Sequence, residues 1–438
     1  MNGATREKTG LTEMLSFGGS QFASNLYMAF TSYYLLMFCT DMALIPPAVT
    51  AALLLCHRLF AVVNSQATGL YINRVQFKDG KYRPYFKWCA VPYAVGLVAL
   101  GLAPRLPAGG RLWCVAFALL LCELSRTALY TASMAMLPYI AQDDKTRTKF
   151  VSFSNSSAIL AYIVAGTFML PLAGVLGGGD RGRGFAPTLA LFALVSLPLN
   201  MNAYRRVQER HYSGDGDKPT VRDILSTLAR NSRLLFFLAG YGIYSMANTC
   251  RSLMSYYYVA YNVSRPDLLP VIILAGLISP LAAQPVIPRL LAYAKKETLI
   301  LFGLFASSCV VLLIPAAGRI PAALIGCAVL YGAFTAITAN LVFTVTASFS
   351  DEIRAGHHMQ ISEILTAALG LSSHIGAAAA SAAAPVVLAA FGYAAQASIQ
   401  SPEALAGIEV LFVYCTAAGL ALAGIVMLLF ARKATNGA

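Results

Sequence analysis

Three arginines stand where the chain is otherwise apolar: Arg58, Arg126 and Arg251. A guanidinium keeps its charge at any physiological pH, and its flat fork of donors matches a carboxylate, sulfate or phosphate. Placing an ionised group in hydrocarbon costs about 2.5–3.5 kcal/mol on insertion scales, so each should have a partner or a task. Arg126 has Glu123 three residues before it and Tyr130 four residues after it, on one helical face. A structural pair with Glu123 and contact with a solute are both open to it. Arg251 belongs to a stripe with Asn248, Ser255 and Tyr258 at helical spacing. It could bind a solute, snorkel, or bond helix-terminal carbonyls. A second stripe comprises Glu363, Thr366, Gly370 and His374. His374 is the first candidate for a coupling proton, because imidazole alone titrates near neutrality when unperturbed; Glu363 is the second. A neutral histidine bonded between helices is the plain alternative. Enzyme chemistry has no foothold: there is no HExxH, GxSxG or Walker loop. His357 and His358 are adjacent but lack further metal ligands, and no cofactor is expected.

Twelve apolar runs must position these groups: 15–39, 43–72, 88–103, 112–140, 151–176, 186–204, 234–258, 268–291, 298–316, 322–349, 361–391 and 410–430. A hydrocarbon core about 30 Å thick needs roughly 20 helical residues, and these runs are too long for barrel strands of about 10. The sequence therefore predicts an all-α polytopic membrane protein with twelve transmembrane helices. Composition agrees: 58% of residues are hydrophobic and 12% charged, which no water-exposed globule sustains.

The net charge of +13 could point to nucleic acid, but its placement argues against that. Of 32 Lys and Arg, 23 fall in the termini and even-numbered loops. Six (Arg105, Arg111, Arg181, Arg183, Arg265 and Arg319) fall on the other side. The positive-inside rule then puts both termini in the cytoplasm. The nine cysteines lie in or beside apolar runs without paired spacing, which predicts packing residues, not disulfides or zinc sites. The polar start and span-length first run predict no cleaved signal. A bilayer and a small solute are the expected partners, nucleic acid is not, and the chain is expected to act as a monomer.

The rhythm breaks once, at 205–233, where Arg205-Arg206, Ser213-Gly214-Asp215-Gly216-Asp217 and Pro219 make a polar linker. Its later part, from Thr220 to Leu225, is short and amphipathic and should lie along the membrane surface. The linker separates two six-helix bundles, 1–204 and 234–438. Six spans plus six around a long linker is the outline of a two-bundle carrier with a central cavity.

Several motifs together resemble the glycoside–pentoside–hexuronide:cation symporters, the melibiose-permease branch of the major facilitator superfamily. They are Leu15-Ser16-Phe17-Gly18, Tyr34 through Asp41, Arg58 to Asn64, Gly80-Lys81-Tyr82-Arg83-Pro84, Asp144-Lys145-Thr146-Arg147, the turn from Gly177 to Gly184 with Phe185, Tyr256-Tyr257 and Phe391-Gly392-Tyr393. The resemblance implies the major facilitator fold, alternating access, and transport of a sugar, glycoside or uronide in a cell membrane.

The departures from that pattern are informative. Where the family's second helix reads Arg-x-x-Asp-Ala-x-Asn-Asp-Pro, this chain has Ala61 and Ser65 at the aspartates and keeps Asn64. The sugar-binding aspartates of helices one and four align with Asn25 and Tyr130, and the tryptophan with Met134. The helix-five arginine aligns with Asn155, and a helix-eleven lysine with His374. Sodium coupling is therefore not expected; a proton is favoured. The solute-binding candidates are Gln21, Asn25, Asn64, Arg126, Tyr130, Asn155, Asn248, Arg251 and Tyr258. An anionic solute fits the arginines. A lysolipid or other amphiphile carrier, or a non-transporting sensor or scaffold, are the rival readings.

Overall fold

The computed structural model describes residues 10–75, 77, 79–140, 144–210, 232–284, 286–318, 320–357, 362–395, 397 and 399–435. Twelve long helical segments run through them. They are α1 (Leu11–Tyr33), α2 (Pro47–Arg74), α3 (Ala90–Leu102), α4 (Ala108–Ile140), α5 (Asp144–Leu176) and α6 (Arg181–Arg206). Then follow α7 (Ser232–Tyr257), α8 (Leu269–Ala283), α9 (Lys296–Leu312), α10 (Pro321–His357), α11 (Ser362–Ala390) and α12 (Thr416–Thr435). Among the described residues, nine helices are long and apolar enough to cross a membrane. Most of the linker and its amphipathic stretch lie outside the described residues.

Local chemistry explains the boundaries. Between α5 and α6, Gly178 and Gly179 adopt φ of 63° and 93°, a region that side chains resist. The Asp180 carboxylate then caps α6 by accepting the Arg183 amide at 3.2 Å. This is an exposed turn between two helices, with no strand before it to form a phosphate loop. Before α12, Ser401 caps the helix Pro402–Glu409 by accepting the Ala404 amide at 3.1 Å.

Among the described residues, three helices carry a π-helical segment, a geometry that shifts side chains relative to the regular face and often marks function. These are Phe38–Met42 beyond α1, Tyr258–Asn262 ending α7, and Val410–Cys415 leading into α12. The first two are each followed, at the same spacing, by a left-handed residue: Leu44 at φ 53° and Ser264 at φ 59°. Helices one and seven thus end on the same device, a repeat that their sequences barely disclose.

The contacts divide the described chain into two compact units. The first holds Met1–Thr31, Met42–Ile45 and Phe60–Asp215; the second holds Ser32–Asp41, Pro46–Leu59 and Gly216–Ala438. In the first, α3 packs on α4 and α6, and α5 on α6. The polar residues of α1 join its neighbours: Ser20 donates to Asn200 at 2.6 Å, Asn202 to Ser16 at 2.8 Å, and Tyr93 to the Ala23 carbonyl at 2.7 Å. In the second unit, α7 packs on α11 and α12, α8 on α10, and α9 on α10 and α12. Large apolar side chains such as Trp113, Val175, Leu194 and Phe302 are more than half exposed. Water would penalise such a surface; lipid does not.

Candidate functional site

In the first unit, Glu123 is buried on α4, and Arg126 donates to it through both Nε (3.3 Å) and Nη2 (2.5 Å). Thr127 adds a hydrogen bond to the same carboxylate at 3.1 Å. Of the two roles open to Arg126, the structure shows the pair. A cation satisfied in this way offers an incoming anion little net charge.

Around the pair, α2 contributes Asn64, buried, whose amide donates to the Glu123 carbonyl at 3.2 Å. Ala61 is buried and the Ser65 hydroxyl bonds the Val62 carbonyl of its own helix at 2.8 Å. No acidic side chain stands at either position where the family's cation ligands would be. On α1, Gln21 reaches Ser133 of α4 at 2.7 Å, Ser133 donates to the Tyr130 carbonyl, and Asn25 donates to the Gln21 carbonyl. Gln21, Asn25 and the Tyr130 backbone thus form one polar surface. The Tyr130 ring and Asn155 are exposed, and among the described residues no hydrogen bond joins Asn155 to that surface.

In the second unit the α7 stripe meets two aromatic residues that the sequence reading did not single out. The Arg251 guanidinium lies over the Tyr331 ring of α10 at 3.8 Å and 5.4 Å from the Phe412 ring of the third π segment. Tyr331 donates to Asn248 at 2.7 Å, and Tyr258 stacks on Phe412 at 4.5 Å and 18°. Asn248, Arg251 and Tyr258 are therefore joined through Tyr331 and Phe412. Ser255 bonds the Arg251 carbonyl, at 2.7 Å. The Arg251 Nε is buried without a hydrogen-bond partner, and among the described residues no carboxylate pairs with this guanidinium. The alternative of helix-terminal carbonyls is not what the structure shows. A ring face attracts the cation without occupying its N–H donors.

His374 is half-buried on α11 and engages neighbours; Ser373 beside it bonds Ser245 of α7 at 2.9 Å. Glu363 lies on α11, with its side chain outside the described residues, as is His358. His57 and Arg58 on α2 also engage neighbours.

A third group was legible only as part of the family motifs. Asp41, in the π segment beyond α1, is buried, and its Oδ1 accepts from Tyr393 at 2.8 Å and from Thr40 at 3.1 Å. Thr40 meets the Tyr257 hydroxyl at 2.7 Å, and the Tyr393 hydroxyl lies 3.2 Å from that of Tyr261. All five residues belong to the second unit. Asp41 stands past the first apolar run, and its burial pushes the carboxyl up to about 6, against hydrogen bonds from Tyr393 and Thr40 that lower it.

A family described as MFS/sugar transport protein matches residues 16–432. The isoprimeverose transporter of Lactiplantibacillus pentosus is 24% identical over 425 residues, covering 96% of this chain and 88% of the relative. A putative sulfoquinovose importer of Escherichia coli is 23% identical over 248 residues, covering 56% of this chain and 51% of that one. Among solved structures, the nucleoside transporter NupG superposes with a TM-score of 0.66 at 12% identity, covering 96% of this chain and 99% of its own.

Proposed function

Since the chain belongs to the MFS/sugar transport family, and so is a multi-pass secondary transporter of small polar solutes, we propose that it carries a sugar-like solute bearing an acidic group. The observation that carries this reading is Arg251: a cation held in a membrane helix by aromatic faces, with no carboxylate pairing it among the described residues. Asn248 supplies an amide beside it for hydroxyl groups. The first unit adds Gln21, Asn25, Asn64, Tyr130 and Asn155 as neutral hydrogen-bonding groups suited to a polyol. Arg126, already neutralised, holds α4 in shape. The sulfoquinovose importer among the relatives is named for an anionic sugar, which supports the reading without identifying the solute here.

In this proposal the carrier works as a monomer with both termini in the cytoplasm, between bundles 1–204 and 234–438. Transport is coupled to protons or equilibrative, since Ala61 and Ser65 cannot supply the family's carboxylates. His374 and Glu363 are the sequence candidates for the proton. The test is binding of glucuronic acid and its neutral amide by purified protein. Preference for the acid, lost in Arg251→Gln and kept in an Arg126/Glu123 double amide variant, is the expected result. Equal binding of acid and amide would overturn the anionic reading.

One observation favours a second reading. A cavity of about 690 Å³ opens between α8, α9 and α10, lined by Leu274, Ile278, Phe302, Val329 and Phe334. An apolar cleft of this kind suits the tail of an amphiphile. Lysolipid movement across vesicles, abolished by Phe334→Asp, would support that reading over the sugar acid.

A further inference from the structure

The carboxylates described here fall into two chemical classes. Glu13 accepts from Arg210 at 3.0 and 2.9 Å, Glu123 accepts from Arg126, and Asp267 accepts from Arg265. Glu209 accepts three backbone amides, from Lys81, Tyr82 and Arg83, at 2.9, 2.7 and 2.7 Å. Guanidinium and amide groups can only donate. Asp41 accepts from two hydroxyls, those of Thr40 and Tyr393, and is buried, whereas Asp79 and Glu409 accept from Tyr204 and Tyr414 through exposed hydrogen bonds. A hydroxyl donates to a carboxylate and accepts from a carboxylic acid with only a rotation of its hydrogen.

The orientation of the whole cluster follows from that difference. Tyr393 has one hydrogen and two acceptors in reach, Asp41 Oδ1 at 2.8 Å and the Tyr261 hydroxyl at 3.2 Å, and an ionised Asp41 takes it. Likewise, when Thr40 donates to Asp41, Tyr257 donates to Thr40. A proton on Asp41 frees the Tyr393 hydrogen for Tyr261 and the Thr40 hydrogen for the Leu36 carbonyl, 3.1 Å away, or for Tyr257. The titratable groups set against Asp41 from the end of α7 and from the segment after α11 are phenols: Tyr257, Tyr261 and Tyr393. Tyr261 is only half-buried, which gives the chain of hydroxyls a way toward water.

We propose that Asp41 binds the coupling proton, and that Tyr393 and Thr40 pass its protonation state to the ends of α7 and α11 as a change in hydrogen-bond direction. This rests on the reading of the chain as a proton-coupled carrier, and it gives Asp41 precedence over His374. The step is one proton gained by the carboxylate from water and later returned to water. Burial already favours the neutral acid, which places the exchange at mildly acidic pH.

The test uses the full-length protein in lipid vesicles and infrared difference spectra between about pH 5 and about pH 8. Wild type should show the carbonyl stretch of a titrating carboxylic acid. Asp41→Asn should abolish that band, and His374→Ala should leave it. Tyr393→Phe removes a donor to the charged form and should move the midpoint to higher pH. A band that survives Asp41→Asn, or a midpoint unmoved in Tyr393→Phe, overturns the inference. In the same vesicles, accumulation of glucuronate driven by a pH gradient should fall at least tenfold in Asp41→Asn while exchange persists. The infrared result decides the inference even if wild type moves no glucuronate, an outcome that counts against the transport reading alone.

Discussion

The Arg251 guanidinium lies 3.8 Å from the centre of the Tyr331 ring, whose hydroxyl donates to Asn248 at 2.7 Å. One aromatic residue of α10 therefore orients both polar groups of α7. A desolvated cation–π contact is worth about 2 kcal/mol, enough to hold the guanidinium flat without cancelling its charge.

Replacing Arg251 by Gln should weaken binding of an acidic solute by about 1.5–3 kcal/mol, the range for a charge-assisted hydrogen bond. Arg251→Lys should recover only part of this, because an ammonium lacks the planar fork. Tyr331→Phe keeps the ring but drops the hydroxyl, and should disturb Asn248 more than Arg251. Calorimetric titration of the three variants with one acid ranks them; equal affinities would leave Arg251 a packing residue.

Arg126→Gln should act on stability instead. It leaves Glu123 buried and unpaired, a change that typically costs about 3–5 kcal/mol. Adding Glu123→Gln should restore much of the loss. Thermal unfolding in detergent separates the variants: a single variant as stable as wild type would remove the structural role.

Sodium should have little influence. Flux into proteoliposomes should respond weakly or not at all to a sodium gradient at fixed pH and voltage. A steep response would mean that Asn64 and its neighbours form a cation site despite Ala61 and Ser65.

Glu209 fastens the 80–84 loop. It accepts three successive amides, and a Cβ on Gly80, which has φ 120°, would fall 2.9 Å from its Oε1. Backbone amides grouped in this way form a small anion-binding nest. Glu209→Ala should expose the loop to protease and cost about 1–3 kcal/mol for the donors left unmet. Gly80→Val should produce the same cleavage pattern. Intact loops in both would show the contact to be incidental.

Asp41 should give stability a pH dependence of defined sign. Its folded value, about 6, lies above the ordinary 3.8. The folded state therefore binds the proton more tightly, and the resulting contribution is full below the ordinary value and lost as pH rises through about 6. Unfolding midpoints measured across that window should fall with rising pH in wild type and fall less in Asp41→Asn. Parallel curves would assign the dependence to other groups.

The twelve helices and their transporter fold were legible in the chain because the bilayer demands long apolar helices and leaves little choice. The polar stripe of α7 was legible for the same kind of reason: a period of 3.6 residues puts Asn248, Arg251, Ser255 and Tyr258 on one face. Spacing along one helix could also offer Glu123 to Arg126, but not decide whether the pair forms. Partners from distant parts of the chain leave no such trace. Tyr331 and Phe412 read as ordinary apolar span residues until α10 and the π segment before α12 bring their rings to Arg251. Asp41 and Tyr393 are 352 positions apart, and no local pattern links them. The helical period lies within each segment and is visible in one dimension. The contacts that give Arg251 and Asp41 different tasks depend on packing between segments, and only the tertiary structure decides those.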